Sequence, residues 1–163
     1  MTIGSIRGHT APLALLERAR ALDRVAHAYA FVGPTGIGKK LTAVAFAQAL
    51  LCSARPLTLP SPPHPTSPPP GEMRKGEGDR VNLGGCGSCS ACRRVEAGTH
   101  PDCRLILPDG QTIKIEQIRE LERLAALKPY EGPRKIFIVD EAERMPLVTA
   151  NAVTTLSSAR KPR

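Results

Sequence analysis

The residues with the clearest chemistry are the glycines and lysines of residues 33–40, which read Gly-Pro-Thr-Gly-Ile-Gly-Lys-Lys. This spacing is typical of a phosphate-binding loop, which lies between an apolar strand and a helix. Glycines let backbone N–H groups approach the phosphates, and the start of the following helix contributes a positive dipole. We therefore expect Gly33, Gly36 and Gly38 to cradle the phosphates of a nucleotide such as ATP, and Lys39 to reach the β and γ oxygens.

Lys40 departs from the usual form of this loop. That position normally holds Ser or Thr, whose hydroxyl binds Mg²⁺. Thr42 is not an easy replacement, because successive helical residues lie about 100° apart and its side chain points nearly to the opposite face. Lys40 instead supplies positive charge in the loop that binds the phosphates. The loop therefore predicts nucleotide binding with weakened metal-assisted hydrolysis.

Two acidic residues, Asp140 and Glu141, follow a second apolar segment at residues 136–139. An apolar strand that ends in acids is the form of the second nucleotide motif. In that motif Asp140 holds Mg²⁺ through water, and Glu141 is the catalytic residue that polarises the attacking water. The alternative is an acidic helix cap after a core strand. The phosphate loop favours the nucleotide interpretation.

Three cysteines lie close together in the sequence: Cys86, Cys89 and Cys92. Core packing does not explain this spacing, whereas structural zinc is held by four tetrahedral ligands. We choose Cys52 as the fourth ligand, since it ends the helix that follows the phosphate loop; Cys103 and His100 are the alternatives. An iron–sulfur cluster of ferredoxin type is disfavoured, because Glu96 stands where a further cysteine is needed.

Length and composition narrow the class of protein. The 163 residues, 41% hydrophobic and 23% charged, fit one soluble domain. No window approaches the roughly 18 apolar residues of a membrane helix, and the N-terminus lacks a secretory signal, so we expect a cytoplasmic protein with no membrane partner. Five cysteines without an export signal argue for a metal site or buried thiols. The net charge of +8 attracts nucleic acid or an acidic protein face without distinguishing them.

Alternating helices and strands are predicted to position these groups. Apolar spacing predicts three helices, near residues 10–24, 38–51 and 115–128, the first of them capped by Thr10. Three strands are predicted, at residues 28–32, 103–107 and 135–139. A further helix begins near Leu147. This alternation indicates an α/β fold with a parallel sheet.

Residues 53–85 differ in character from the rest of the chain. Eight prolines lie between Pro56 and Pro70, and no aromatic residue is present. Such a segment cannot bury a core, so we expect a disordered insertion there.

The whole set resembles the bacterial clamp-loader subunits of the AAA+ class in DNA polymerase III. The shared order is a phosphate loop, a cysteine module after the loop helix, and a strand that ends in Asp-Glu. The matching segments are residues 27–40, 86–92, 98–102, 113–121, 128–132 and 136–145. This resemblance implies a P-loop NTPase (AAA+) fold with a three-layer parallel sheet over residues 1–152. It also implies an inserted zinc module at residues 86–99.

The resemblance further implies a role in loading the sliding clamp onto primed DNA, with gamma/tau and delta subunits as partners and weak or no ATP hydrolysis. Lys40 and the Lys-Pro-Tyr-Glu-Gly sequence at residues 128–132 look less like gamma/tau, whose Arg-Lys-Tyr-Arg-Pro run is missing here. One alternative is a competent Mg²⁺-dependent ATPase that uses Lys39, Asp140 and Glu141. Another is a zinc-containing nucleic-acid-binding module whose phosphate loop is vestigial.

The last residues depart from the family pattern. After Ala152 the family continues with Leu-Leu-Lys-Thr-Leu-Glu-Glu-Pro, whereas residues 153–163 form a basic tail of different sequence. We expect from this a truncated or frame-shifted product.

Overall fold

The computed structural model describes residues 9–54 and 83–146. Most of the proline-rich insertion, the helix predicted near Leu147 and the tail at residues 153–163 lie outside these ranges. The chain divides into two compact units, Met1–Ala26 with Phe31–Arg93 and His27–Ala30 with Arg94–Arg163. The described elements are α1 (Thr10–Ala21), α2 (Lys39–Leu51), α3 (Ser90–Glu96), β1 (Cys103–Ile106), α4 (Ile115–Ala126), β2 (Ile136–Val139) and a 3-10 turn (Ala142–Arg144).

Helix α1 begins the first unit and buries Leu13 and Leu16. Thr10 is its first helical residue rather than its cap, so the capping role predicted for Thr10 is wrong. His9 holds the cap position in a left-handed conformation, with φ of 57° and no side-chain hydrogen bond to the helix. The helix ends at Ala21, three residues earlier than predicted, because the stripe of buried residues does not continue to Leu22.

Helix α2 follows the phosphate loop. Its N-cap is Gly38, whose φ of 94° lies in the left-handed region that glycine adopts without strain. All seven residues from 45 to 51 are buried. A helix that is apolar on every side is buried on every side. Part of the buried surface of α2 packs against α1. The last turn of α2 is therefore firmly packed inside the first unit.

Residues 28–32 form no strand in the structure, so that prediction is wrong. Val32 is 94% exposed. A strand requires a neighbouring strand to pair its backbone N–H and C=O groups, and a short apolar run does not supply one.

The second unit contains a two-stranded parallel sheet, in which Cys103 pairs with Ile136 and Ile106 with Val139. Helix α4 lies between the two strands in the sequence, and its Ile118 packs in the core with Ile106, Ile113 and Leu121. Both predicted strands and the predicted helix are confirmed, with slightly shorter bounds. The described residues thus form a mixed α/β structure with a small parallel sheet.

A buried carboxylate fixes the loop that precedes β2. Asp102, only 2% exposed, accepts hydrogen bonds from the backbone N–H groups of Tyr130, Glu131 and Gly132 at 2.6, 2.8 and 2.8 Å. The carbonyl of Asp102 also accepts from the N–H of Ile136 at 2.8 Å, where β2 begins. One residue therefore sets both the loop and the start of the strand.

The carboxyl of Asp102 must be ionised to accept these three hydrogen bonds at full strength. Burial raises the pKa of its carboxyl, but the three backbone N–H donors outweigh burial and hold the pKa below its usual value. A carboxyl with a lowered pKa in the folded state stabilises the fold above its unfolded pKa of about 4. This stabilisation is lost as the pH falls through the folded-state pKa.

We expect Asp102→Asn to lower the free energy of unfolding by about 1.5–3 kcal/mol at neutral pH, the value of hydrogen bonds to a charged group. The loss should shrink at acid pH, where the wild-type carboxylate is protonated as well. Urea unfolding of the full chain at several pH values measures both effects.

The matched control is Asp109→Asn, which removes an exposed carboxylate that pairs with Lys114. That variant should stay within about 0.5 kcal/mol of the wild type. Equal losses in the two variants would contradict the role of Asp102.

Candidate metal centre and phosphate loop

Four cysteine sulfurs come together in the first unit: those of Cys52, Cys86, Cys89 and Cys92. Their Sγ atoms all lie within 4.8 Å of one another, and those of Cys52 and Cys89 are 4.0 Å apart. A tetrahedral zinc ion with Zn–S bonds of about 2.3 Å separates its sulfurs by about 3.8 Å. The four cysteines can therefore hold a metal ion with little movement.

The structure brings Cys52, rather than Cys103 or His100, to the other three cysteines. Cys103 lies in β1, and burial raises the pKa of its thiol to about 11. His100 uses both ring nitrogens elsewhere: Nδ1 accepts from the N–H of Asp102 at 3.1 Å, and Nε2 lies 3.2 Å from a carboxylate oxygen of Glu131. Among the described residues, neither alternative belongs to the sulfur cluster.

Backbone N–H groups point at the sulfurs. The N–H of Cys86 donates to Sγ of Cys52 at 3.3 Å, that of Cys89 to Sγ of Cys86 at 3.3 Å, and that of Cys92 to Sγ of Cys89 at 3.4 Å. Gly87 permits the tight turn between the first two of these donors through its positive φ of 71°. Such donors stabilise the thiolate form, which is the form that binds metal.

The surroundings of Cys86, Cys89 and Cys92 shift the pKa values of their thiols in different directions. Hydrogen bonds from the Ser88 hydroxyl and the N–H of Cys89 lower the pKa of Cys86. Burial raises the pKa of Cys89, but the N–H of Cys92 and the Ser53 hydroxyl outweigh it and lower the pKa to about 5. Burial raises the pKa of Cys92. The thiols of Cys86 and Cys89 therefore lose their protons more readily than an ordinary cysteine does. Metal binding would also release the proton of Cys92.

Two residues that the sequence did not single out hold the cysteine segment, residues 85–92, against α2. Nε2 of Gln48, a buried polar residue in an otherwise apolar stretch of helix, donates to the carbonyl of Cys92 at 3.0 Å. Gly85 passes so close to α2 that a Cβ atom would lie 2.2 Å from Sγ of Cys92 and 2.9 Å from the carbonyl oxygen of Gln48. The lone glutamine was a signal visible in the sequence, whereas the close approach at Gly85 was not.

The phosphate loop lies in the same unit, at the other end of α2. Gly36 and Gly38 have left-handed φ values of 84° and 94°. Nζ of Lys39 donates to the carbonyls of Gly33 and Pro34 at 2.7 and 3.0 Å, so the lysine bridges the loop. Lys40 is exposed in the first turn of α2.

Thr42 does not compensate for the missing hydroxyl at position 40. Its Oγ1 donates to the carbonyl of Gly38 at 3.0 Å, one helical turn earlier. The hydroxyl is therefore engaged with the backbone of its own helix.

Asp140 and Glu141 lie in the second unit, directly after β2. Oδ1 of Asp140 accepts from the N–H of Glu141 at 3.1 Å, and Glu141 pairs with Arg144 at 2.7 Å. Glu141 is also the N-cap residue of the 3-10 turn, with φ of 50° but no side-chain hydrogen bond to the turn. Their roles toward Mg²⁺ and water stay predictions.

Comparisons with known proteins find similarity to subunits of DNA polymerase III. A family model described as "DNA polymerase III, delta subunit" matches residues 75–155. The chain is 32% identical to the delta-prime subunit of Bacillus subtilis and 33% identical to that of Pseudomonas aeruginosa, over 87% and 84% of its length. It is also 26% identical to the tau subunit of Escherichia coli over 93% of its length.

The fold and the site define a class of proteins in which a phosphate-loop sequence begins a helix and a cysteine cluster able to hold a metal ion lies at its end. Over most of its length, the chain is similar to the delta-prime subunits of DNA polymerase III. It spans about a third of the length of the delta-prime relatives, 34% in each case. No helix within the described ranges is long and apolar enough to cross a membrane.

Adjacent glycines offer a test of the contact between α2 and the cysteine segment. Gly85→Ala should lower the free energy of unfolding by about 1–3 kcal/mol and weaken metal binding, because its Cβ overlaps Cys92 and the backbone of Gln48. Gly84→Ala is the control, since nothing lies within 4 Å of a Cβ atom there. Thermal unfolding and metal content of the two variants should separate them; matching behaviour would disprove the close contact.

Proposed function

We propose that this chain acts as a clamp-loader subunit of the delta-prime type, which helps load the sliding clamp of DNA polymerase III onto primed DNA. The four-cysteine cluster at the end of the phosphate-loop helix carries the proposal, because it accompanies a similarity to delta-prime relatives over most of the chain. The proposed partners are the gamma/tau and delta subunits and, through the complex, the clamp and the DNA. This role places the chain in the bacterial cytoplasm.

The proposed architecture is the three-layer parallel sheet of AAA+ proteins with an inserted zinc module. The parallel pair β1 and β2, separated in sequence by α4, supports this proposal. Parallel strands need a crossover connection, and a helix on the face of the sheet is the usual solution. Residues 1–152 would form the domain, and residues 86–99 the module.

The proposed metal is zinc, held by Cys52, Cys86, Cys89 and Cys92. Four protein ligands leave no position for water or substrate, so the site would be structural rather than catalytic. Bound zinc would tie the end of α2 to the segment that begins at Cys86, across the intervening insertion. The contribution of the chain is to present four thiolates and the N–H groups that stabilise them.

We propose that the loop residues of the first unit bind the nucleotide: Gly33, Gly36, Gly38, Lys39 and Lys40. For Asp140 and Glu141, in the second unit, we propose the Mg²⁺-binding and water-polarising roles of the second nucleotide motif. We propose weak or no hydrolysis of ATP by this chain alone. Lys40 has no hydroxyl for Mg²⁺, and the hydroxyl of Thr42 is bonded to the carbonyl of Gly38. Binding without turnover fits a subunit that acts through contacts with its neighbours.

The zinc assignment predicts different effects for two cysteine variants. Cys89→Ser should lose the stoichiometric zinc and the stability that metal binding confers on the folded state. Cys103→Ser changes a cysteine outside the cluster and should keep the full zinc content. Mass spectrometry under native conditions and thermal unfolding measure both quantities. Unchanged metal in Cys89→Ser would remove the zinc assignment.

The clamp-loader role predicts that the native protein co-purifies with gamma/tau and delta under mild conditions. Mass spectrometry of the intact assembly identifies each component. Isolation of the chain without either partner would contradict the role. Mg²⁺-dependent phosphate release by the chain alone, abolished in Glu141→Gln, would instead favour a competent ATPase.

A further inference from the structure

Lys40 places a second ammonium group beside Lys39 at the start of the phosphate-loop helix. Nζ of Lys39 donates to the carbonyls of Gly33 and Pro34 at 2.7 and 3.0 Å, so its ammonium group lies against the loop backbone. Lys40 is exposed, and the first turn of α2 contains no acidic residue. The positive end of the helix dipole adds to the charge of the two lysines. The loop therefore presents strong positive charge to any anion that it binds.

The rest of the first unit is also basic. Its described residues, 9–26, 31–54 and 83–93, contain six lysines and arginines but only two carboxylates, those of Glu17 and Asp23. The carboxylate of Glu17 binds the guanidinium of Arg20, with Nε donating to Oε2 at 3.1 Å. Neither carboxylate lies in residues 31–54, the stretch that contains the loop and α2. This charge distribution favours an anion with several negative charges over a cation.

The start of α2 does not fit a bound Mg²⁺ ion. Mg²⁺ takes oxygen ligands in an octahedral arrangement, whereas a lysine ammonium group has three donors and no acceptor atom. Lys40 thus removes the usual hydroxyl ligand and adds a charge that repels the ion. The hydroxyl of Thr42 donates to the carbonyl of Gly38 at 3.0 Å, within its own helix.

We propose that the phosphate loop binds a nucleoside triphosphate without Mg²⁺, and that the ammonium group of Lys40 neutralises the β and γ phosphates in place of the metal ion. An ammonium group is a compact charge that binds phosphate oxygens through charge-assisted hydrogen bonds. The inference rests on the nucleotide site proposed above. It specifies the form of the ligand, which is the free triphosphate rather than its Mg²⁺ complex.

The Mg²⁺ role proposed for Asp140 concerns a different step. Asp140 and Glu141 lie in the second unit, and Oε2 of Glu141 is 2.7 Å from Nε of Arg144. In the second nucleotide motif these acids serve hydrolysis, whereas Lys40 concerns binding. Binding without the ion and weak hydrolysis are therefore expected together.

The test is calorimetric titration of the full chain with ATP, once in buffer freed of divalent cations on a chelating resin and once with excess Mg²⁺. The resin treats the buffer before the protein is added, because a soluble chelator would also remove a metal ion from the cysteine cluster. The wild type should bind ATP at least as tightly without Mg²⁺ as with it.

Three variants identify the residue responsible. Lys40→Met should weaken Mg²⁺-free binding at least about tenfold, because a hydrogen bond to a charged group is worth more than one factor of ten in affinity. Lys40→Thr restores the hydroxyl and should bind ATP more tightly with Mg²⁺ than without it. The control is Arg18→Met, which removes an exposed charge from α1 in the same unit and should bind as the wild type does.

Lys40→Gln is a second neutral variant if Lys40→Met does not fold. A wild type that binds ATP only with Mg²⁺ overturns this inference and leaves the nucleotide site in place. Mg²⁺-free binding that no substitution of Lys40 weakens also overturns it, because Lys40 would then not replace the ion. A wild type that binds no ATP under either condition refutes the nucleotide site and this inference together.

Discussion

Helix α2 is the constraint on which the first unit depends, because both of its ends carry chemistry. Gly38 begins the helix at the phosphate loop, and Cys52 ends it at the sulfur cluster. Its thirteen residues span about 20 Å, and the C-terminal half is buried on every side. Because the helix has a fixed length and is packed in this way, it holds Cys52 and the phosphate loop at a fixed distance from each other. The two functional groups of this unit are therefore parts of one element.

The sulfur cluster shows how a local sequence feature depends on packing. Three cysteines are close in sequence, but the fourth reaches them because Gln48 and Gly85 let the cysteine segment lie directly on α2. The backbone N–H groups of Cys86, Cys89 and Cys92 then donate to sulfurs of the cluster. Metal binding in such a site is a contribution to folding as well as to chemistry.

The second unit depends on a different interaction, the buried carboxylate of Asp102. Asp102 joins two of the segments that carry the resemblance to clamp-loader subunits, residues 98–102 and 128–132. The sequence alone indicated no function for either segment. Three N–H groups of the second segment converge on the carboxylate, and His100 and Glu131 form a contact beside it. These segments have a structural role in setting the start of β2. His100, an alternative metal ligand from the sequence, belongs to this arrangement.

The sequence by itself indicated the resemblance to the clamp-loader subunits, the phosphate-loop pattern, and the two strands and the helix α4 of the second unit. These depend on local spacing: the glycines of the loop, the apolar stripe of α4 and the three clustered cysteines. It wrongly predicted a strand at residues 28–32 and the cap at Thr10, because strand pairing and helix starts depend on neighbouring backbone as well as on residue type. Only the tertiary structure decided which fourth cysteine joins the cluster, and which residues surround it. The reason is physical: contacts between Cys52 and Cys86, or between Asp102 and Tyr130, join residues far apart in the chain, and packing alone brings them together.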